Sequence, residues 1–148
     1  MIDVLLKFLH ILGAVLMVGN VITTGLWAHW AVSADNEALR RCAARSILKA
    51  DIFLTFVGGG LIVIPGMIMV ARQDLPFMST PWIVQGAIAL IASTLVWIVF
   101  LIPDQLRMQK HAEAQDREAF EKAYRRWSIL GWFATIPLIY ALWVMVAR

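Results

Sequence analysis

The chain has 148 residues, 61% hydrophobic and 16% charged, with a mean hydropathy of +0.75 and a net charge of +3. That balance leaves little room for a soluble domain, and the small positive charge, shared with acids in the same loops, argues against nucleic-acid binding. A single cysteine, Cys42, excludes an internal disulfide and any cysteine-pair metal site.

Four stretches lack Asp, Glu, Lys and Arg: 8–34, 52–71, 75–103 and 127–147. About 20 residues at ~1.5 Å each cross ~30 Å of hydrocarbon, so each stretch reads as a membrane helix. The expectation is one all-α domain, 1–148, built as a four-transmembrane-helix bundle.

The first helix is expected over about 4–27, with Asp3 as its N-cap. Its apolar run is too long for a signal-peptide core, and its positive flank follows it, so the small residues at 31–34 do not read as a cleavage site. A stripe of His10, Gly13, Met17, Asn20 and Thr24 recurs every three or four residues and should face other helices. Asn20 lies near the expected midplane and needs a hydrogen-bond partner, with Thr55 and Ser93 as candidates. The stretch 35–51 has helical periodicity, with Leu39, Cys42, Ala43, Ser46 and Ile47 on one face.

The second membrane helix is expected over 51–71. Asp51 then serves as an N-cap or pairs with Lys49 or Arg45; a proton-relay acid is the functional alternative. Gly58–Gly60 permit close helix approach, and Pro65 should kink the helix. The third helix, 81–103, starts at Pro81 and stops at Pro103, with Gln85, Ala89 and Ser93 inward. The segment 104–126 reads as a helical hairpin with Ala112, Ala119, Phe120, Ala123 and Trp127 on one face, either solvated or a partner's docking surface. The fourth helix, 127–147, carries Ser128, Gly131, Thr135 and Pro137. Tryptophans 27, 30, 82, 127 and 143 fall near expected helix ends, where interfacial aromatics belong.

His10 lies ~9 Å below the start of the first helix at helical rise. At similar depth come Met67, Met69, Trp82, Gln85, Tyr140, Trp143 and Met145. Imidazole and thioether suit haem iron or copper(I), and Lys7, one turn outward, can meet a haem propionate or a lipid phosphate. A histidine bonded across helices and a lysine snorkelling to the interface are the structural alternatives. His29 and His111 read as solvated.

The segments "LKFLHILGAVLMVGN", "KADIFLT", "STPWIV", "IPDQLRMQK" and "YRRWSILGWFATIPLIYALWVMVAR" together resemble the predicted integral membrane family known as domain of unknown function 2269. That resemblance implies four membrane helices and no established activity. "KFLHILG" is also distantly similar to the first helix of the membrane-embedded protoporphyrinogen IX oxidase, a four-helix haem b protein, and copper-resistance D-type proteins share the architecture. This similarity implies His10 as haem ligand with Lys7 beside it. Gln85 stands where the oxidase pattern has lysine, and the third helix has no histidine, which argues against the oxidase reaction and leaves haem binding. The resulting expectation is a bacterial inner-membrane protein that binds haem b in the outer half of the bundle in a redox role. Met67, Met69, Trp82, Gln85 and Tyr140 would stand near the cofactor. A non-catalytic module binding a protein partner and copper(I) handling are the alternatives. The expected partners are the bilayer and a second copy or a membrane redox protein.

Arg40, Arg41, Arg45, Lys49, Arg107, Lys110, Arg117, Lys122, Arg125 and Arg126 fall in the first and third loops, against Lys7, Arg72 and Arg148 on the other side. Basic residues gather on the cytoplasmic face, so both termini should lie outside and the hairpin inside. Alkaline phosphatase fused to the C-terminus should be active; an inactive fusion, with an active cytoplasmic reporter in its place, would reverse the orientation.

Overall fold

A computed structural model describes residues 1–34 and 36–147; Asp35, which opens the 35–51 stretch, and Arg148, counted above with the outer basic residues, lie outside it. The chain is all-α. Helices α1 (Ile2–Ser33), α2 (Glu37–Arg72), α3 (Pro81–Val96), α4 (Ile102–Glu113) and α5 (Arg117–Val146) follow in order. A 3-10 turn, Phe77–Ser79, precedes α3, and a π turn, Trp97–Leu101, fuses α3 to α4. Four rods result, of 32, 36, 33 and 30 residues, each long and apolar enough to cross a membrane.

The rods run ~45–54 Å, well beyond ~30 Å of hydrocarbon, because the amphipathic stretches continue the apolar ones without a break. Asn36 starts α2, its Oδ1 accepting from the Leu39 amide at 3.0 Å, so the helix begins well before residue 51. Asp51 is therefore about four turns inside α2, and its expected role as N-cap is wrong. Asp3 is not a cap either: α1 begins at Ile2, and Asp3 accepts from Arg72 Nε at 2.8 Å. Pro103 does not stop the third rod. It sits in the first turn of α4, just after the π turn, whose wider winding relieves the missing N–H and the crowding of the ring. Asp116 caps α5 by accepting from the Ala119 amide at 3.0 Å, well ahead of Trp127. Trp127 is thus buried in the core rather than placed at a helix end.

The rods alternate in direction. Asp3 meets Arg72, and Gln85 meets Tyr140, at the end that holds the termini; Arg45 meets Glu113 at the end that holds the α1–α2 and α4–α5 connections. At that connection end lies the core, drawn from Ala28 and Ala31, Ala43, Ala44 and Ile47, Trp97 and Leu101, Met108 and Ala112, and Phe120, Trp127 and Ala134. The faces expected to be solvated or free for a partner are therefore largely used up in packing the two hairpins together. Leu39 and Cys42 are exceptions and are exposed.

Toward the termini the architecture changes. There α1 pairs with α2, and α3 with α5, while α3 makes no extended contact with α1 or α2. Small residues set the close approaches within each pair. A Cβ on Gly13 would lie 2.6 Å from the Gly58 carbonyl oxygen, and one on Gly86 would collide with Met145 Cε. Ser93 Oγ donates to the Ala134 carbonyl at 2.7 Å and ties α3 to α5. Without a hydrophobic drive between helices in lipid, such close packing and interhelical bonds hold the pairs.

Gly13→Val should force α1 off α2 and lower stability by ~1–3 kcal/mol. Gly25→Ala, whose added Cβ meets nothing within 4 Å, should leave the melting temperature unchanged or slightly raised. Thermal unfolding of both variants in one detergent checks the contrast.

Candidate functional site

The most polar point of the interior is a carboxylate. Asp51, 6% exposed, accepts at Oδ1 from Asn20 Nδ2 at 2.6 Å and at Oδ2 from Trp97 Nε1 at 2.6 Å and Gln105 Nε2 at 2.7 Å. Thr55 Oγ1, one turn along α2, stands 3.5 Å from Oδ1. α1, α2, the π turn and α4 each supply one element of this cluster. Isolated charges in an apolar interior are costly, and donors from several elements offset that cost. Asn20 thus has a partner other than the two expected: Ser93 is engaged by Ala134, and Thr55 belongs to the same carboxylate. Neither Lys49 nor Arg45 is Asp51's partner, since Arg45 bonds Glu113 at 3.0 Å.

One turn beyond, Asp104 is fully buried and accepts from Arg107 Nη1 at 2.7 Å, with Arg126 Nε 3.0 Å from its other oxygen. Contact with Arg126 joins α4 to α5, though it lacks the alignment of a hydrogen bond. The two buried acids differ in kind: Asp104 is neutralised by arginines, whereas Asp51 is held by neutral donors.

A helix end at Pro103 leaves Asp104 and Gln105 outside the third helix, and Trp97, inside it, carries no polar expectation. A signal was present. Trp97, Leu101, Asp104, Gln105, Met108 and Ala112 repeat every three or four residues straight through the proline, and all are buried.

At the terminal end, His10 is half-buried between α1 and α2, with Nδ1 2.7 Å from the Ile62 carbonyl oxygen. A carbonyl only accepts, so Nδ1 carries the proton of this bond and is not free to ligate. Pro65 leaves the Leu61 carbonyl without its helical donor, one residue before the carbonyl that His10 meets. Gly66 leaves room for the ring: a Cβ there would stand 3.1 Å from His10 Nδ1.

Lys7 and Met67 are exposed, and Met69 and Trp82 are half-buried. Tyr140 Oη donates to Gln85 Oε1 at 3.2 Å, beside a shallow apolar groove between α3 and α5 that Ile88, Ala89, Ile136 and Pro137 also line. The residues assigned by depth to one layer therefore fall into two groups: His10, Met67 and Met69 on α1 and α2, and Trp82, Gln85, Tyr140, Trp143 and Met145 on α3 and α5. His29 is exposed and His111 half-buried. Among the described residues, no three His, Cys, Asp or Glu side chains are grouped to share a metal ion.

Trp97→Phe keeps the ring and removes the indole N–H from Asp51. A hydrogen bond to a charged group is worth ~1.5–3 kcal/mol, so equilibrium unfolding should register a loss of that size. Asn20→Leu should cost a similar amount. No change in either variant would mean that the carboxylate does not depend on these donors.

A family model described as predicted integral membrane protein (DUF2269) matches residues 4–148. No curated protein and no solved structure matches the chain. The four apolar rods agree with that description, and with nearly the whole chain covered, the protein belongs to this family of integral membrane proteins.

Proposed function

We propose that this multi-pass protein resides in a bacterial inner membrane with both termini outside, binds haem b through His10, and serves a redox role with a membrane partner. The observation that carries the reading is the His10 hydrogen bond. An imidazole that metallates through one nitrogen characteristically donates from the other to a carbonyl or carboxylate, which fixes the ring and raises its basicity. His10 has that arrangement, with Nδ1 engaged by Ile62 and Nε2 open.

The chain's own residues fit part of a haem site. His10 offers a half-buried ligand locked by α2. Lys7, exposed one turn earlier, can pair with a propionate near the interface. Met67 and Met69 follow Gly66 on the helix that holds the ring and are the candidates for a second axial ligand. Trp82, Gln85 and Tyr140 lie across the separation between hairpins and would close the far side. When bound, haem supplies a one-electron iron couple, tuned by its ligands and burial. Copper(I) is the competing occupant of the same imidazole.

The visible spectrum of protein purified from cells with ample haem, before and after dithionite, tests the reading. A Soret band should be present, lost or reshaped in His10→Ala, and largely kept in Lys7→Ala, because one exposed ion pair is worth only ~0–1 kcal/mol. Colourless wild-type protein would end the haem reading, and its copper content would then separate copper handling from a purely structural histidine.

A further inference from the structure

The two amides that bond Asp51 each have a second polar atom. Asn20 Oδ1 and Gln105 Oε1 are buried and accept no hydrogen bond, although Asn20 is only 3% and Gln105 only 1% exposed. Buried side-chain oxygens without a donor are uncommon, and each one asks for an explanation. Here two occur on amides that meet at one carboxylate. That carboxylate is itself unusual: its four partners are neutral, and none of the ion pairs among the described residues includes it.

We infer that Asp51, Asn20, Gln105 and Thr55 form a binding site for a single alkali-metal cation. The chemistry follows from the shape of an amide. Its oxygen and nitrogen ends are nearly the same size, and rotation about the terminal bond exchanges them. Both amides turn their NH2 groups to the carboxylate and leave their carbonyls without a donor. Rotating both brings Asn20 Oδ1 and Gln105 Oε1 to face the Asp51 oxygens, an arrangement that repels unless a cation sits between them. The cation then meets oxygen ligands only: the carboxylate, two amide carbonyls and the Thr55 hydroxyl. Oxygen donors select hard cations. One carboxylate balances one positive charge, so a monovalent ion leaves the buried site neutral, whereas a divalent ion leaves an uncompensated charge. Trp97 is donor-only and cannot take part in the exchange; it anchors Oδ2 while the amides turn. Its position depends on the π turn, a feature frequent at functional sites.

This inference is independent of the haem reading and is tested without it. Protein purified in detergent and choline chloride should bind radioactive sodium saturably, one ion per chain, with competition from potassium. Its melting temperature should rise in sodium chloride over choline chloride at equal ionic strength. Asn20→Leu and Gln105→Leu should weaken sodium binding tenfold or more and abolish the thermal gain, while Gly25→Ala, outside the cluster, should retain both. Thr55→Val, at the half-buried edge of the cluster, gives the same readout where the amide variants fail to fold. Absence of saturable sodium or potassium binding by wild type overturns the inference. So does equal stabilisation by choline, or wild-type affinity in the folded variants.

Discussion

A carboxylate in the interior of an apolar bundle must be surrounded by donors, and Asp51 imposes that requirement on this fold. Its partners come from residues 20, 55, 97 and 105, so satisfying one side chain fixes the relative positions of α1, α2, the π turn and α4. Register follows from the same constraint. Sliding α1 by one turn against α2 would carry Asn20 ~5.4 Å away and leave a buried oxygen one donor short. Apolar packing among alanines offers no comparable penalty for a slip.

That requirement accounts for the unequal halves of the molecule. At the connection end, the Asp51 cluster, the Asp104–Arg126 contact and the alanine-rich core bind the two hairpins together. At the terminal end, each close contact lies within a hairpin: Gly13 on Gly58, His10 on Ile62, Gly86 against Met145, Tyr140 on Gln85. Polar interhelical bonds in lipid contribute modestly one at a time, so the connection end is held by having several in one place. The terminal end keeps its helices paired and leaves large apolar side chains such as Phe8, Ile64 and Ile139 exposed.

Most of this architecture was legible in charge-free runs, because the thickness of hydrocarbon translates directly into residue counts. The inward stripe of α1 was legible too: Gly13, Met17, Asn20 and Thr24 are all buried. Helix boundaries were less so. Runs of uncharged residues mark where a helix crosses lipid, whereas Asn36 and Asp116 mark where helices begin, and the two differ by ten residues or more. Asp51 looked like a cap only because the apolar run starts beside it. Asp104 and Gln105 fell to the hairpin rather than to the third membrane helix only because Pro103 precedes them. The pairing of Asn20 with Asp51, 31 positions apart, depends on the crossing of α1 and α2 and has no local signature. Depth along each helix placed His10 and Tyr140 at one level, but depth carries no information about which helices are neighbours.

Two of the three prolines inside the rods, Pro65 and Pro103, stand beside the polar features that distinguish this bundle. In lipid, a disturbed helix turn persists only where other groups satisfy the freed backbone. Pro65 has no N–H for the Leu61 carbonyl, and the neighbouring Ile62 carbonyl takes the His10 N–H. Pro103 follows the π turn, and the extra residue in that turn rotates the rod so that Trp97 and Gln105, eight positions apart, reach the same carboxylate oxygen. Replacing either proline with a regular helix former would favour the local helix and work against the polar contact beside it. At the π turn, local propensity and the polar contact oppose each other, and the fold has kept the irregular backbone.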